Sequence, residues 1–220
     1  MFQLNQDFVA MLGPRVAVLL LCLPVHEFAH AWAANKLGDD TAARQGRLTL
    51  NPFVHLDIFG SVVILLAGLG WAKPVPVDTR PFKNPRRDMA LVALAGPLSN
   101  IIMATIMLAV VKVIAYTVHP WSGFPVAGAI HVLTIMFTIN LWLACLNLLP
   151  VPPLDGSKLL GALLPEQHYL KMMRYEMVFV PVLLVLIFTG HLSRAIAWMV
   201  HRIFPVIDFI TRPIDLLLGG

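Results

Sequence analysis

Three stretches of this chain, about residues 8–34, 89–116 and 126–149, are apolar for longer than the ~20 residues an α-helix needs to cross a bilayer. Hydrocarbon offers no hydrogen-bond partners, so a backbone inside it must pair with itself, and runs of this length do so as helices. Composition agrees: 58% of the residues are hydrophobic and 13% charged, where a soluble domain carries about 25% charged residues. A further apolar run at about 177–190 makes a fourth expected span. The fold class that follows is an all-α polytopic membrane protein with about four transmembrane helices. No internal repeat or linker divides it, so residues 1–220 read as a single integral-membrane domain.

Between the first two spans lies a region, about 41–80, that is neither helical span nor plain loop. Its apolar run at 58–70 is too short to cross and reads as re-entrant or buried in protein. Trp71-Ala72-Lys73-Pro74-Val75-Pro76-Val77 alternates prolines with apolar residues, which suits an extended, β-like edge segment. The tail, 192–220, interleaves Arg194, His201, Arg202 and Arg212 with apolar residues, as an interfacial amphipathic helix does. Asp7 and Arg15 stand where a cleavable signal should be basic and then uninterrupted, so the first span is expected to be retained.

The net charge of +4 is spread over short loops and points to no nucleic-acid partner. Lys36, Arg44, Arg47, Lys73, Arg80, Lys83, Arg86 and Arg87 all lie between the first two spans, and Lys158, Lys171 and Arg174 follow the third. The turn at 119–125 holds no Lys or Arg. If 58–70 does not cross, every one of these loops falls on one side, and the positive-inside rule makes that side cytoplasmic. The expected location is a prokaryotic cell membrane, with the end of the first span near the cytoplasm.

At that end stands His26-Glu27-Phe28-Ala29-His30. Helical residues four apart share a face, so the two imidazoles can meet one metal ion, and Glu27 is placed as general base on a metal-bound water. A tetrahedral zinc with an open position requires a third protein ligand. Asp155, in Asn147-Leu148-Leu149-Pro150-Val151-Pro152-Pro153-Leu154-Asp155-Gly156, is the candidate: a carboxylate at the end of a span on proline-stiffened backbone. Its alternative role is to cap the helix that follows, and one oxygen can do each. Cys22, one turn before His26, reads as a packed thiol, and with Cys145 also in an apolar stretch no disulfide framework is expected.

These motifs resemble the site-2 protease family of intramembrane zinc metalloproteases. The resemblance rests on HEFAH, on Ala95-Gly96-Pro97-Leu98-Ser99-Asn100, and on the stretch from Asn147 to Gly156. Gly46-Arg47-Leu48-Thr49-Leu50-Asn51-Pro52 and Gly70-Trp71-Ala72-Lys73-Pro74 look like its compact branch, without PDZ or nucleotide-binding modules. It implies one zinc per chain on His26, His30 and Asp155, Glu27 as base, and Asn147 contacting the substrate backbone or the developing oxyanion. The substrates it implies are transmembrane-helix proteins.

Asn140, Asn100, Lys73 and Val75 are secondary candidates for substrate contact; Asn140 serves equally as a helix-packing residue, and Asn100 suits a bond to a neighbouring helix. His55 and Asp57 read as loop hydrogen-bonders, and His119, His131, His168, His191 and His201 have no partner at ligand spacing. Two rival functions use the same residues: a membrane metal carrier or sensor, and an inactive relative that only binds helices. Substrate identity, cleavage position, trigger and oligomeric state leave no mark in the sequence.

Overall fold

The computed structural model describes residues 11–67, 70–118 and 124–219. In chain order its helices are α1 (Met11–Lys36), α2 (Thr41–Arg44), α3 (Ile58–Ala67), α4 (Pro85–Thr117) and α5 (Phe124–Asn147). They are followed by α6 (Gly156–Leu163), α7 (Glu166–Arg174), α8 (Glu176–Phe188) and α9 (His191–Leu218). Three helices are long and apolar enough to span a membrane: α1, α4, and α5 over Val126–Asn147. The pair α8 and α9, bent by 79° across a short break, makes a fourth if counted as one broken span. The all-helical membrane architecture is as expected.

Helix α4 is the hub, packing against α1, α5, α6 and α9. One apolar cluster, with Ala104, Leu141, Cys145, Leu183, Leu192, Ile196 and Ile207 buried, joins α4, α5, α8 and α9. A second, around Val18, Cys22, Met107 and Met136, joins α1, α4 and α5. A third, around Ala33, Ala34, Phe82 and Val92, closes the other end of the α1–α4 contact. The chain leaves α1 and enters α4 at the same end of the bundle: Leu37 packs with Phe82, and the Asp39 carboxylate accepts from both Thr41 N–H and Asp78 N–H.

Helix α1 holds a widened π-helical turn, Val18–Cys22, in which Leu23 N–H bonds back to Val18 O. Pro24 follows directly and brings no N–H of its own, so the local register cannot be purely i→i+4. The wide turn absorbs that defect one turn before the histidine pair.

Among the described residues of the 41–80 region, the helices α2 and α3 are followed from residue 70 by chain that returns alongside α3. Helix α3 is ten residues, about 15 Å. Arg15 of α1 donates to its last carbonyls, Leu65 O and Leu66 O, at 2.7 and 2.9 Å. The returning chain then packs on α3 so closely that a Cβ on Gly60 would lie 2.1 Å from Trp71 O, and one on Gly70 2.3 Å from Gly60 O. Glycine is required at both places for lack of space.

The expected β-like character is corrected: among the described residues there is no strand, and 71–78 holds no regular secondary structure, its X-Pro steps favouring extended backbone outside any ladder. Pro74 and Pro76 carry no N–H, while Lys73 N–H goes to His55 O at 2.8 Å and Val75 N–H to a side chain, so no ladder forms. The expected span at 177–190 is largely the 13-residue helix Glu176–Phe188, and the tail is the continuous helix His191–Leu218 with a buried face, Leu192, Ile196, Ile207 and Thr211, against the bundle. Lys112 of α4 ties it down, its Nζ donating to Asp208 Oδ1 at 2.8 Å and Asp215 Oδ2 at 2.6 Å.

Candidate active site

Three side chains from distant parts of the chain converge where α1, α4 and the start of α6 meet. His26 Nε2 and His30 Nε2 lie 3.2 and 3.1 Å from Asp155 Oδ2, and 3.0 Å from one another. All three residues are buried, at 5%, 8% and 8% exposure. Among the described residues this is the one group of His, Cys, Asp and Glu side chains spaced to hold a metal ion.

The donor set suits a cation. Val92 O can only accept, so His30 Nδ1 donates to it, at 2.7 Å, and the neutral ring presents a lone pair at Nε2. In that tautomer Nε2 of His30 faces the Nε2 of His26 and a carboxylate oxygen, an arrangement suited to a shared metal ion. Ligand atoms at tetrahedral zinc distances would stand about 3.3 Å apart, close to the observed spacing. The residues fit zinc.

The second oxygen of Asp155 accepts from Lys158 Nζ at 3.1 Å, one turn into α6. Although Asp155 occupies the N-cap position of α6, its side chain makes no cap bond; both oxygens are spent on the histidines and Lys158. Gly156 lets the chain turn here, since a Cβ would lie 2.3 Å from Leu149 O and 2.4 Å from Leu148 O. Arg86 holds the far end of α6, donating to Gly161 O at 2.9 Å and to Leu164 O.

Glu27, 9% exposed, stands outside the trio, and its Oε2 accepts the Val75 N–H at 3.1 Å. The extended segment is thus bonded to the carboxylate beside the buried trio. Lys73 contributes through its backbone, its O accepting from Arg47 Nη2 at 2.6 Å. Asn147 ends α5 with its Nδ2 donating to Leu143 O at 3.1 Å, and no direct bond joins it to the trio.

Asn140 is fully buried, donating to Met136 O at 2.8 Å and to Cys22 Sγ at 3.2 Å, which puts it in the packing of α1 against α5. Cys22 is likewise a packed thiol. Asn100 is fully buried one turn beyond Gly96, and its Nδ2 has no partner among the described residues. His55 bonds Thr49 O at 2.8 Å and Asp57 accepts from Gly60 N–H at 2.8 Å, both within their loop. His119 lies outside the described residues.

Three residues that the sequence showed only within motifs or basic loops prove to contribute at the site: Lys158, Arg47 and Gly96. Lys158 had a usable signal, its i+3 spacing from Asp155 on a helix. Gly96 sits so close under the imidazoles that a Cβ there would lie 2.5 Å from His30 Nε2 and 2.6 Å from His26 Cε1.

Comparison with known proteins agrees with this chemistry. The profile of Peptidase family M50 matches residues 113–190, which include Asp155 and the turn before it. YwhC of Bacillus subtilis, a predicted zinc metalloprotease, is 46% identical over 184 residues, covering 83% of each chain. The chain belongs to Peptidase family M50, the site-2 protease family. As a member it is a zinc metallopeptidase. The peptidase also resembles Rip2 of Mycolicibacterium smegmatis, at 32% identity over 158 residues, 69% of this chain and 56% of Rip2. MJ0611 of Methanocaldococcus jannaschii is 30% identical over 136 residues, 61% of this chain and 62% of its own. Both are predicted zinc metalloproteases, and the peptidase spans little more than half of Rip2. No solved structure matches the peptidase with statistical significance.

Proposed function

We propose that this metallopeptidase hydrolyses peptide bonds of transmembrane helices at membrane depth, with one zinc per chain on His26, His30 and Asp155. The observation that carries the reading is the buried trio itself, set between spanning helices with Glu27 bonded to an extended segment. Gly96, against the imidazoles, is 11 residues into the 33-residue α4, which is about 16 Å along the helix axis from its basic end. In this reading the reacting centre sits at membrane depth, on the side of the basic end.

Zinc, when bound, supplies Lewis acidity that lowers the pKa of water and polarises a carbonyl. Val92 O fixes the His30 tautomer, and Lys158 steadies the Asp155 carboxylate. Glu27 takes the proton of the attacking water and delivers it to the leaving amine. Asn147 donates its amide to the oxyanion developing on the scissile carbonyl, after leaving Leu143 O. A substrate helix conceals its carbonyls in i→i+4 bonds, so it must unwind here, and the extended segment beside Glu27 is the surface on which it does so. The basic ends of α1 and α4 lie together, and the positive-inside rule puts that end, and the site near it, towards the cytoplasm of a prokaryotic cell.

The experiment compares wild type with Glu27→Gln on a reporter transmembrane helix, in detergent and in liposomes. The amide keeps the shape and cannot take a proton, so zinc content should hold while cleavage disappears. Cleavage near the wild-type rate in Glu27→Gln would assign the base elsewhere. Metal transport that survives the substitution, with no cleavage by either protein, would make the chain a carrier.

A further inference from the structure

Arg47 is 6% exposed, lies outside the metal trio, and comes from the loop after α2. Its Nη2 donates to Lys73 O at 2.6 Å and to Pro74 O at 3.4 Å. The next residue, Val75, gives its N–H to Glu27 Oε2. Two consecutive carbonyls are therefore clamped by a guanidinium directly before the amide that holds the general base.

The clamp stands where the segment has little else to hold it. From Lys73 to Pro76 two of four residues lack an N–H, no ladder forms, and the remaining inward bond is Lys73 N–H to His55 O. Burial lowers the Arg47 pKa, with the Glu27 carboxylate only partly opposing it. A buried guanidinium is costly without compensation, and here the two carbonyls provide part of it through Nη2, while Nε has no partner among the described residues.

We infer that Arg47 is a positioning residue for Glu27: it fixes the 73–75 segment so that the Val75 amide orients the carboxylate. Resting on the peptidase reading, this predicts that loss of the clamp acts on the chemical step more than on substrate binding. A base displaced by about 1 Å costs on the order of 100-fold in rate, whereas a lost binding contact raises KM.

The test uses the full-length protein in detergent, with Arg47→Ala, Arg47→Lys and wild type. Arg47→Ala should retain wild-type zinc content and KM and lose about 100-fold in kcat. Methylguanidine at millimolar concentration should restore part of it, and Arg47→Lys, which reaches one carbonyl as a point charge, should fall between. Independently of cleavage, hydrogen exchange at the Val75 amide should accelerate in Arg47→Ala and slow again with methylguanidine. Raised KM at unchanged kcat, or loss of zinc from Arg47→Ala and Arg47→Lys alike, would overturn the inference. So would Val75 exchange that is indifferent to Arg47. If wild type cleaves nothing, the peptidase reading fails and the exchange measurement still decides the clamp.

Discussion

Replacing Gly96 with alanine should disable the metal site through a single methyl group. The added Cβ would stand 2.5 Å from Cε1 and Nε2 of His30 and 2.6 Å from Cε1 of His26. Carbon contacts are optimal at about 3.5–4.0 Å, so the overlap is about 1 Å. His30 cannot yield freely, because its Nδ1–H is bonded to Val92 O, one turn earlier on the same helix as Gly96. Metal sites tolerate errors of only about 0.2 Å in ligand position. Disturbing one outer partner costs about 10–100-fold in metal affinity, and here two ligands move, so a loss near 100-fold is expected. Stability should change far less. Alanine gains about 1 kcal/mol over glycine in a helix interior, and overpacking costs about 1–3 kcal/mol, leaving a net destabilisation of about 0–2 kcal/mol. The assay is zinc titration against a competing chelator, alongside reporter cleavage and thermal unfolding of the metal-free protein. Gly128→Ala on α5 is the control, since a Cβ there meets nothing within 4 Å. Gly96→Ala with wild-type zinc affinity and full cleavage would refute the packing argument.

Asp155→Ala should lose zinc as His26→Ala and His30→Ala do, read by elemental analysis; full occupancy in Asp155→Ala would remove that residue from the site. Single cysteines placed at Arg44 and Arg86 should label from the same side of the membrane, because the chain leaves α1 and enters α4 at one end of the bundle. Labelling from opposite faces would make α3 a true crossing. A reporter helix with a central Asn-Pro or Gly-Gly should be cleaved faster than a uniform poly-Leu helix, since exposing a carbonyl in hydrocarbon costs several kcal/mol. Equal rates would show that unwinding is not the selective step.

What the sequence disclosed was whatever short-range pattern encodes. The i,i+4 histidines, the apolar run lengths and the proline-broken end at Asp155 are local signals, and each has its counterpart in the structure. The contacts it left hidden join residues far apart without periodicity. Arg47 meets Lys73 O, Lys112 meets Asp208 and Asp215, and Val92 meets His30 through a backbone carbonyl, which has no side-chain signature at all. Gly96 was visible as part of a motif, yet its reason is an absence of volume that only the packed helices reveal.

The prolines around Val75 misled in an instructive way. Alternation of proline and apolar residues does dictate extended chain, but extended chain becomes a strand only when its N–H groups find a ladder. Here the N–H of Lys73 is spent on His55 O and that of Val75 on Glu27, while Pro74 and Pro76 have none. From Lys73 to Pro76 the backbone has no free N–H, although the carbonyls of Val75 and Pro76 accept no bond among the described residues. A peptide laid along it can give backbone hydrogen bonds to the segment and receive none from its backbone unless Glu27 releases Val75. Such an edge satisfies the N–H groups that an unwinding substrate helix exposes and leaves its carbonyls unpaired. Those are the groups that hydrolysis must polarise, so the same prolines that prevent a sheet suit the segment to presenting a peptide bond for attack.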